Sequence, residues 1–160
     1  PSRLAVCSAL VLAALAGAMP GLRAEEQTYV VVVSPDVDIS NLGTDELRRI
    51  YRFEQQFWRA GRRLALLYSE ENLESGSFVL DRIYRADYSS IRRMIMERLY
   101  SGDIGLAPKV VSTDEIVVAF VAAGRGLIAV VRAEAVGEKT VRVLTVDGNA
   151  PGSADYPLRR

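Results

Sequence analysis

Apolar residues along the chain fall into runs that predict buried strands separated by helices. Tyr29–Val33 is an unbroken run of β-branched and aromatic residues, typical of a strand that is covered on both faces. A second apolar run, Leu64–Tyr68, has a length suited to another buried strand. Two further strands are expected at Leu127–Val131 and Val141–Val146.

Helical periodicity fills the intervals between these runs. Apolar residues recur at spacings of about 3.6 positions, which places them on one face of a helix. Thr44 is predicted to cap the first helix, and further helices are predicted to begin at Phe78, at Asp87 and, after a Ser112–Glu115 capping box, at Ile116. The segments Ser34–Gly43 and Ser101–Lys109 are predicted to be loops.

Alternating strands and helices predict an α/β fold. The expected architecture is a three-layer sandwich, in which a central and mostly parallel sheet of about four to five strands carries helices on both faces. Ligands in such folds bind beyond the carboxyl ends of parallel strands.

The N-terminal stretch resembles a secretory signal. Arg3 precedes the apolar run Leu4–Ala18, and a small residue, Ala24, stands just before the first acidic residues. Cleavage is expected after Ala24, with Ala18 as the alternative. Removing 24 of the 160 residues leaves 136, the size of a single domain at 25–160. The expected location is periplasmic or secreted, with no membrane span after cleavage.

Composition excludes several function classes. Of the 20 basic residues, Arg3 and Arg23 lie in the signal, so 18 face 20 acidic residues and the mature net charge is about −2. That balance predicts neither a nucleic-acid partner nor an anionic membrane. Histidine is absent, and Cys7 lies in the signal, which leaves no His or Cys metal site and no Ser-His or Cys-His catalysis. No catalytic residue, metal or cofactor is predicted.

The junction after the second strand is the strongest candidate for a binding site. Asn72, Ser75, Gly76 and Ser77 lie between the strand and the helix that follows it. Free backbone N–H groups at a helix start can bind an anion. An ordinary helix cap with nothing bound is the alternative. Ser34 ends the first strand and, in a parallel sheet, is expected at the same edge.

The order of these segments resembles the phosphate-type periplasmic substrate-binding proteins of ABC transporters, and in particular their second lobe. The segments that carry the resemblance are Asn41–Tyr51, Phe57–Gly61, Leu64–Tyr84, Gly105–Glu115 and Gly124–Val131, followed by a terminal Tyr-Pro-Leu. The resemblance implies a type II periplasmic-binding-protein lobe without enzymatic activity. In full-length relatives, phosphate is held between two lobes.

The resemblance also identifies where this chain departs from its relatives. Ser75-Gly76-Ser77 matches the family's serine-glycine-threonine turn, with serine in place of threonine. The arginine expected just before that turn is replaced by the Tyr68–Glu71 stretch, which has no guanidinium and adds two carboxylates. Carboxylates beside an oxyanion repel it by on the order of 1 kcal/mol per contact in water. From its length, the given sequence is expected to lack a counterpart of the first lobe.

The sequence is compatible with three functions. The first is solute binding, with phosphate or another small oxyanion at the Asn72–Ser77 turn. The second is an accessory exported interaction domain that has lost tight anion binding, with a membrane transporter or another exported protein as partner. The third, a Ser–Lys hydrolase, has little support, because Lys109 and Lys139 are the only candidate bases.

Overall fold

The computed structural model describes residues 26–160, and the predicted signal peptide therefore lies outside the described residues. The main helices are α1 (Thr44–Tyr51), a six-residue π-helix (Val79–Tyr84), α2 (Tyr88–Ser101) and α3 (Asp114–Ala123). Strands are β1 (Tyr29–Val33), β2 (Asn41–Leu42), β3 (Ala65–Ser69), β4 (Lys109–Val111), β5 (Leu127–Arg132), β6 (Arg142–Val143) and β7 (Thr145–Val146). Short 3₁₀ helices cover Glu70–Leu73 and Ala133–Ala135.

Five strands form the central sheet, in the order β4-β3-β5-β1-β6. β3 is parallel to both β4 and β5, whereas β1 is antiparallel to β5 and to β6. Four strands therefore run in one direction and β1 runs against them. The predicted α/β class with a mostly parallel sheet is confirmed. A small second sheet pairs β2 with β7.

Apolar side chains from the two faces of the sheet form two clusters. On one face, Val117, Val118 and Val121 of α3 pack against alternate residues of β1 and β5. On the other face, α1 and the π-helix pack against the remaining residues of those strands. All five residues of β1 are buried, as its unbroken apolar run predicts.

Several local predictions are corrected by the structure. Val141–Val146 is not one strand, because β6 joins the main sheet and β7 pairs with β2. Lys109–Val111 begins in a predicted loop but pairs with β3 as an edge strand. Gly43, not Thr44, is the N-cap of α1, and Thr113, not Ser112, caps α3. Contacts with residues distant in the chain decide the structure at each of these positions, and the local sequence pattern carries no information on those contacts.

Candidate functional site

The carboxyl edge of the sheet contains a gap between β3 and β5. These strands pair only at Ala65–Leu127 and Leu66–Ile128, and then separate. Beyond that point, side chains form the hydrogen bonds that a neighbouring strand would otherwise form with the β5 backbone. The hydroxyl of Tyr51 accepts from the N–H of Val130 at 3.0 Å, and the Nδ2 of Asn72 donates to the carbonyl of Val130 at 3.0 Å. Polar side chains therefore fill the crevice in which a ligand of an open α/β sheet would bind.

Asp114 lies at the centre of this polar cluster. Its side chain is 1% exposed, yet both carboxylate oxygens have partners. Oδ1 accepts from the hydroxyl of Ser69 at 2.5 Å and from the Nδ2 of Asn72 at 3.3 Å. Oδ2 accepts from the backbone N–H of Arg132 at 2.8 Å and from its Nε at 3.4 Å. A buried carboxylate that is paired and hydrogen-bonded in this way holds β3, α3 and β5 together.

Arg132 forms the outer part of the same cluster. Besides Asp114, it pairs with Glu71 at 2.9 Å, Glu134 at 3.2 Å and Glu115 at 3.9 Å. Burial lowers the pKa of Arg132, but Glu71 and Asp114 outweigh it and raise the pKa above its usual value. One guanidinium therefore faces four carboxylates, and its charge is already neutralised within the protein.

The Ser75–Gly76–Ser77 turn lies beside this cluster, between the 3₁₀ helix and the π-helix. Gly76 has φ +77°, and an added Cβ would meet no atom within 4 Å, so the turn needs glycine for its backbone conformation and not for space. The hydroxyl of Ser77 donates to the carbonyl of Asn72 at 2.7 Å and accepts from the N–H of Leu80 at 3.4 Å. Ser77 thus works as a local cap, whereas Ser75 is exposed.

A cavity of about 180 Å³ opens over the turn. Its lining includes Tyr29, Glu71, Glu74, the three turn residues, Arg132 and Arg160. Arg160 is half-exposed and only 4.0 Å from Asp81, so its charge is less neutralised than that of Arg132. The cavity is large enough for a small oxyanion, but its walls carry carboxylates as well as guanidinium groups.

The predicted site residues are not all brought together. Ser75, Gly76, Ser77 and Asn72 line one cavity. Ser34 lies at the opposite edge of the sheet, so the prediction that it shares the carboxyl edge is wrong. β1 runs antiparallel to β5, and its carboxyl end meets the start of β5, where the hydroxyl of Ser34 accepts from the N–H of Leu127 at 3.2 Å.

Asn72 also has a different role from the predicted one. Its side-chain donors are used by Asp114 and Val130 in the interior, and it is 4% exposed. The amide group therefore supports the crevice and does not face a ligand. At the other edge of the sheet, Trp58 is 6% exposed and donates from its indole N–H to the carbonyl of Gly126 at 3.0 Å, which makes it a packing residue.

Sequence reasoning missed the residues that dominate the site electrostatically. Arg132 ends β5, and Arg160 lies far from the turn in the chain, so no local pattern links either of them to Ser75. Asp114 is the first residue of α3 and lies within the capping box, where an acidic residue is ordinary. β4, the strand that brings Asp114 to this edge, begins in a segment predicted to be a loop, so no sequence pattern marks this position.

Within residues 26–160, the helices lack the combination of length and apolar character that crossing a bilayer requires.

Comparison with known proteins identifies the fold. No family model and no curated protein sequence matches the chain. Solved structures do match, each over 84% of this chain: an ABC-type phosphate transport receptor from Vibrio cholerae (TM-score 0.58, 17% identity) and PstS from Borrelia burgdorferi (0.59, 18%). A phosphate ABC transporter substrate-binding protein with bound phosphate from Clostridium perfringens also matches over 84% (0.62, 11%).

The match extends over only part of those proteins. This chain spans 53% to 55% of their length, about half of each. At such low sequence identity, the likeness concerns the fold and does not extend to the ligand.

Proposed function

We propose that this chain is an exported, non-enzymatic solute-binding lobe that holds a small oxyanion, with phosphate as the reference ligand, at the Ser75–Gly76–Ser77 turn. The observation that carries the proposal is the position of this turn. It lies at the carboxyl edge of a sheet whose fold matches phosphate receptors, in a cavity that also contains Arg132 and Arg160. The N–H of Ser77 already donates to the carbonyl of Glu74 at 3.0 Å, so the suitable oxyanion donors are the backbone N–H groups of Ser75 and Gly76 and a guanidinium.

The carboxylates that line the same cavity indicate that its affinity for phosphate is weak. By the resemblance, the Tyr68–Glu71 stretch stands where the family has an arginine, and its Glu71 carboxylate lies 2.9 Å from the Nη2 of Arg132. An incoming anion must displace this carboxylate or bind next to it. Glu74 and Asp114 add negative charge to the lining. We therefore expect phosphate binding that is weaker than capture between two lobes and that weakens further as salt screens the attraction.

A second candidate function follows from the pairing of Arg132. A guanidinium that is neutralised by four carboxylates no longer needs a ligand, which favours an accessory exported interaction domain. Its partner would be a membrane transporter component or another exported protein. The two candidates differ in one measurable property, namely whether the chain by itself binds an anion.

Titration calorimetry with inorganic phosphate at low ionic strength tests the proposal, with a matched pair of variants. Glu71→Gln removes the carboxylate that holds Arg132, so we expect phosphate affinity to rise by about five- to tenfold. Glu70→Gln makes the same change at an exposed neighbour outside the cavity lining and should leave affinity within about twofold.

Gly76→Val tests the turn itself. Gly76 requires positive φ, and a β-branched residue there displaces the backbone donors, so binding should be lost. Circular dichroism checks that the fold is retained. If neither the wild type nor Glu71→Gln binds phosphate, the oxyanion proposal fails and the interaction-domain candidate replaces it.

Export is part of the proposal and has its own test. The apolar run that precedes Ala24 supports signal cleavage. Intact-mass measurement of protein recovered outside the cytoplasm should match a chain that begins at Glu25. A mass that retains Arg3 to Arg23 would contradict cleavage.

A further inference from the structure

A separate cavity of about 360 Å³ lies between α1, the π-helix and the Pro157–Leu158 segment. Three arginines line it, Arg48, Arg82 and Arg85, together with apolar residues from all three elements: Leu47, Ile83, Pro157 and Leu158. It shares no lining residue with the cavity over the Ser75–Ser77 turn. Its volume falls in the range of small-molecule sites.

The arginines of this cavity have fewer carboxylate partners than Arg132 has. Asp81 is the one carboxylate in the lining, and it lies 4.0 Å from Arg160. Arg82 and Arg85 form no ion pair with any residue in 26–160. Nearby, Asp147 is held by the backbone N–H of Thr44 at 2.8 Å. The lining therefore keeps an excess of positive charge.

Arg48 is incompletely satisfied in its present position. Its Nη1 reaches the exposed Asp45 at 3.3 Å, a type of surface pair that contributes little. Its Nε is buried and has no hydrogen-bond partner among the described residues. Buried donors normally have partners. A guanidinium in this state gains hydrogen bonds if it turns toward an anion in the cavity.

The backbone around Arg85 is unusual in two respects. Arg85 has φ 55° and ψ 41°, a left-handed conformation that normally favours glycine. It directly follows the π-helix, a rare form that often occurs at functional sites. Maintaining a long charged residue in this conformation is unfavourable for folding, and it places Arg85 in the lining of the cavity.

We propose that this arginine-rimmed cavity binds a small amphipathic anion, in which a carboxylate or phosphate group is attached to a short apolar chain. Guanidinium forks match the geometry of both oxyanions, and the exposed Pro157, backed by the buried Leu47, Ile83 and Leu158, supplies apolar contact for the chain. This site is independent of the Ser75–Gly76–Ser77 turn and of the function proposed for that turn.

Titration calorimetry on the purified protein at low ionic strength tests the site with three probes: hexanoate, hexyl phosphate and inorganic phosphate. Hexanoate and hexyl phosphate distinguish the two headgroups, and at least one of them should bind. Inorganic phosphate should bind to this cavity at least about tenfold more weakly than hexyl phosphate, because it lacks the apolar chain.

Arg85→Gly and Arg82→Gln should each weaken binding of the amphipathic probe by about tenfold or more. Arg85→Gly retains the left-handed backbone, so its loss of binding does not arise from misfolding. Arg93→Gln, an equal charge change on an exposed part of α2, is the matched control and should remain within about twofold. Gly76→Val should also bind normally.

Three results would contradict the proposed binding site. The first is absence of binding of both hexyl phosphate and hexanoate. The second is equal affinity in the wild type, Arg82→Gln and Arg85→Gly. The third is that Gly76→Val loses binding while Arg85→Gly retains it, which would place the probe at the Ser75–Gly76–Ser77 turn instead.

Discussion

The hydroxyl of Tyr51 accepts a hydrogen bond from the backbone N–H of Val130 at 3.0 Å, in the gap where β3 leaves β5. A helix side chain thus takes the place of a neighbouring strand. Tyr51 is fully buried, and its ring packs edge-on against those of Tyr68 and Tyr84. The separation of the two strands therefore depends on this tyrosine as well as on Asn72.

Tyr51→Phe should destabilise the protein by about 1–3 kcal/mol, because it leaves the N–H of Val130 buried without an acceptor. Urea unfolding followed by the fluorescence of Trp58 measures the change. Tyr88→Phe removes a hydroxyl from a residue that is 42% exposed, and it should change stability by less than about 0.5 kcal/mol. Equal effects of the two changes would contradict this role for Tyr51.

Asp114→Asn should cost roughly 3 kcal/mol of stability. The amide cannot accept from Ser69, Asn72 and Arg132 at once, and it leaves the guanidinium of Arg132 without its buried counterion. Glu115→Gln is the control, because that side chain is 54% exposed and 3.9 Å from Arg132. We expect a loss below about 1 kcal/mol there. A small effect of Asp114→Asn in denaturant unfolding would show that the cluster is not structural.

Asp87 should titrate far below an ordinary aspartate. Hydrogen bonds from the hydroxyl of Ser89 and from the N–H of Ser90 lower the pKa of Asp87 to about 2. Because the folded pKa lies below the unfolded value of about 3.9, Asp87 stabilises the start of α2 above that value. This contribution is lost as pH falls through the folded pKa.

NMR titration of the Asp87 carboxyl carbon, together with hydrogen exchange of the α2 amides, tests this expectation. Asp87→Asn retains an acceptor oxygen but cannot titrate, so protection of α2 in that variant should not respond to pH in this range. A titration midpoint near 3.9 in the wild type would rule out the cap.

The buried tyrosines predict alkaline unfolding. Burial, the largest cause, raises the pKa of Tyr51, Tyr68 and Tyr84, and the last two also share a hydrogen bond between their hydroxyls. These phenols remain protonated in the folded state while unfolded tyrosine ionises near 10. Stability is therefore complete below about pH 10 and decreases as pH rises above it.

Absorbance at the tyrosinate band, followed together with circular dichroism, should show Tyr51, Tyr68 and Tyr84 ionising only as the protein unfolds. Ionisation of all seven tyrosines in one early step, with the fold intact, would contradict the burial argument.

Arg85→Gly should stabilise the fold by about 0.5–1 kcal/mol, since glycine adopts the left-handed conformation of Arg85 without steric cost. Arg82→Gly is the matched comparison inside the π-helix, and it should destabilise by about 1 kcal/mol because Arg82 has helical backbone. Thermal unfolding of the two variants measures both signs. A loss of stability in Arg85→Gly would show that the guanidinium has a structural role.

The local pattern of residues in the sequence was sufficient to predict most of the strands and helices near the core. The apolar runs predicted β1, β3 and β5 to within one residue, because burial on both faces requires uninterrupted apolar positions. The Ser75–Gly76–Ser77 turn was also recognisable, since positive φ at Gly76 favours glycine. The mostly parallel α/β fold followed from the alternation of strands and helices.

The direction of β1 and the partners of Arg132 were decided only by the tertiary structure. An apolar run specifies that a strand is buried but carries no information on its direction, so Ser34 was assigned to the wrong edge. Glu71 and Arg132 are 61 positions apart, and their 2.9 Å contact exists because β3 and β5 are neighbours in the sheet. Strand order determines which charges meet at the edge, and hence whether a guanidinium remains available for a ligand.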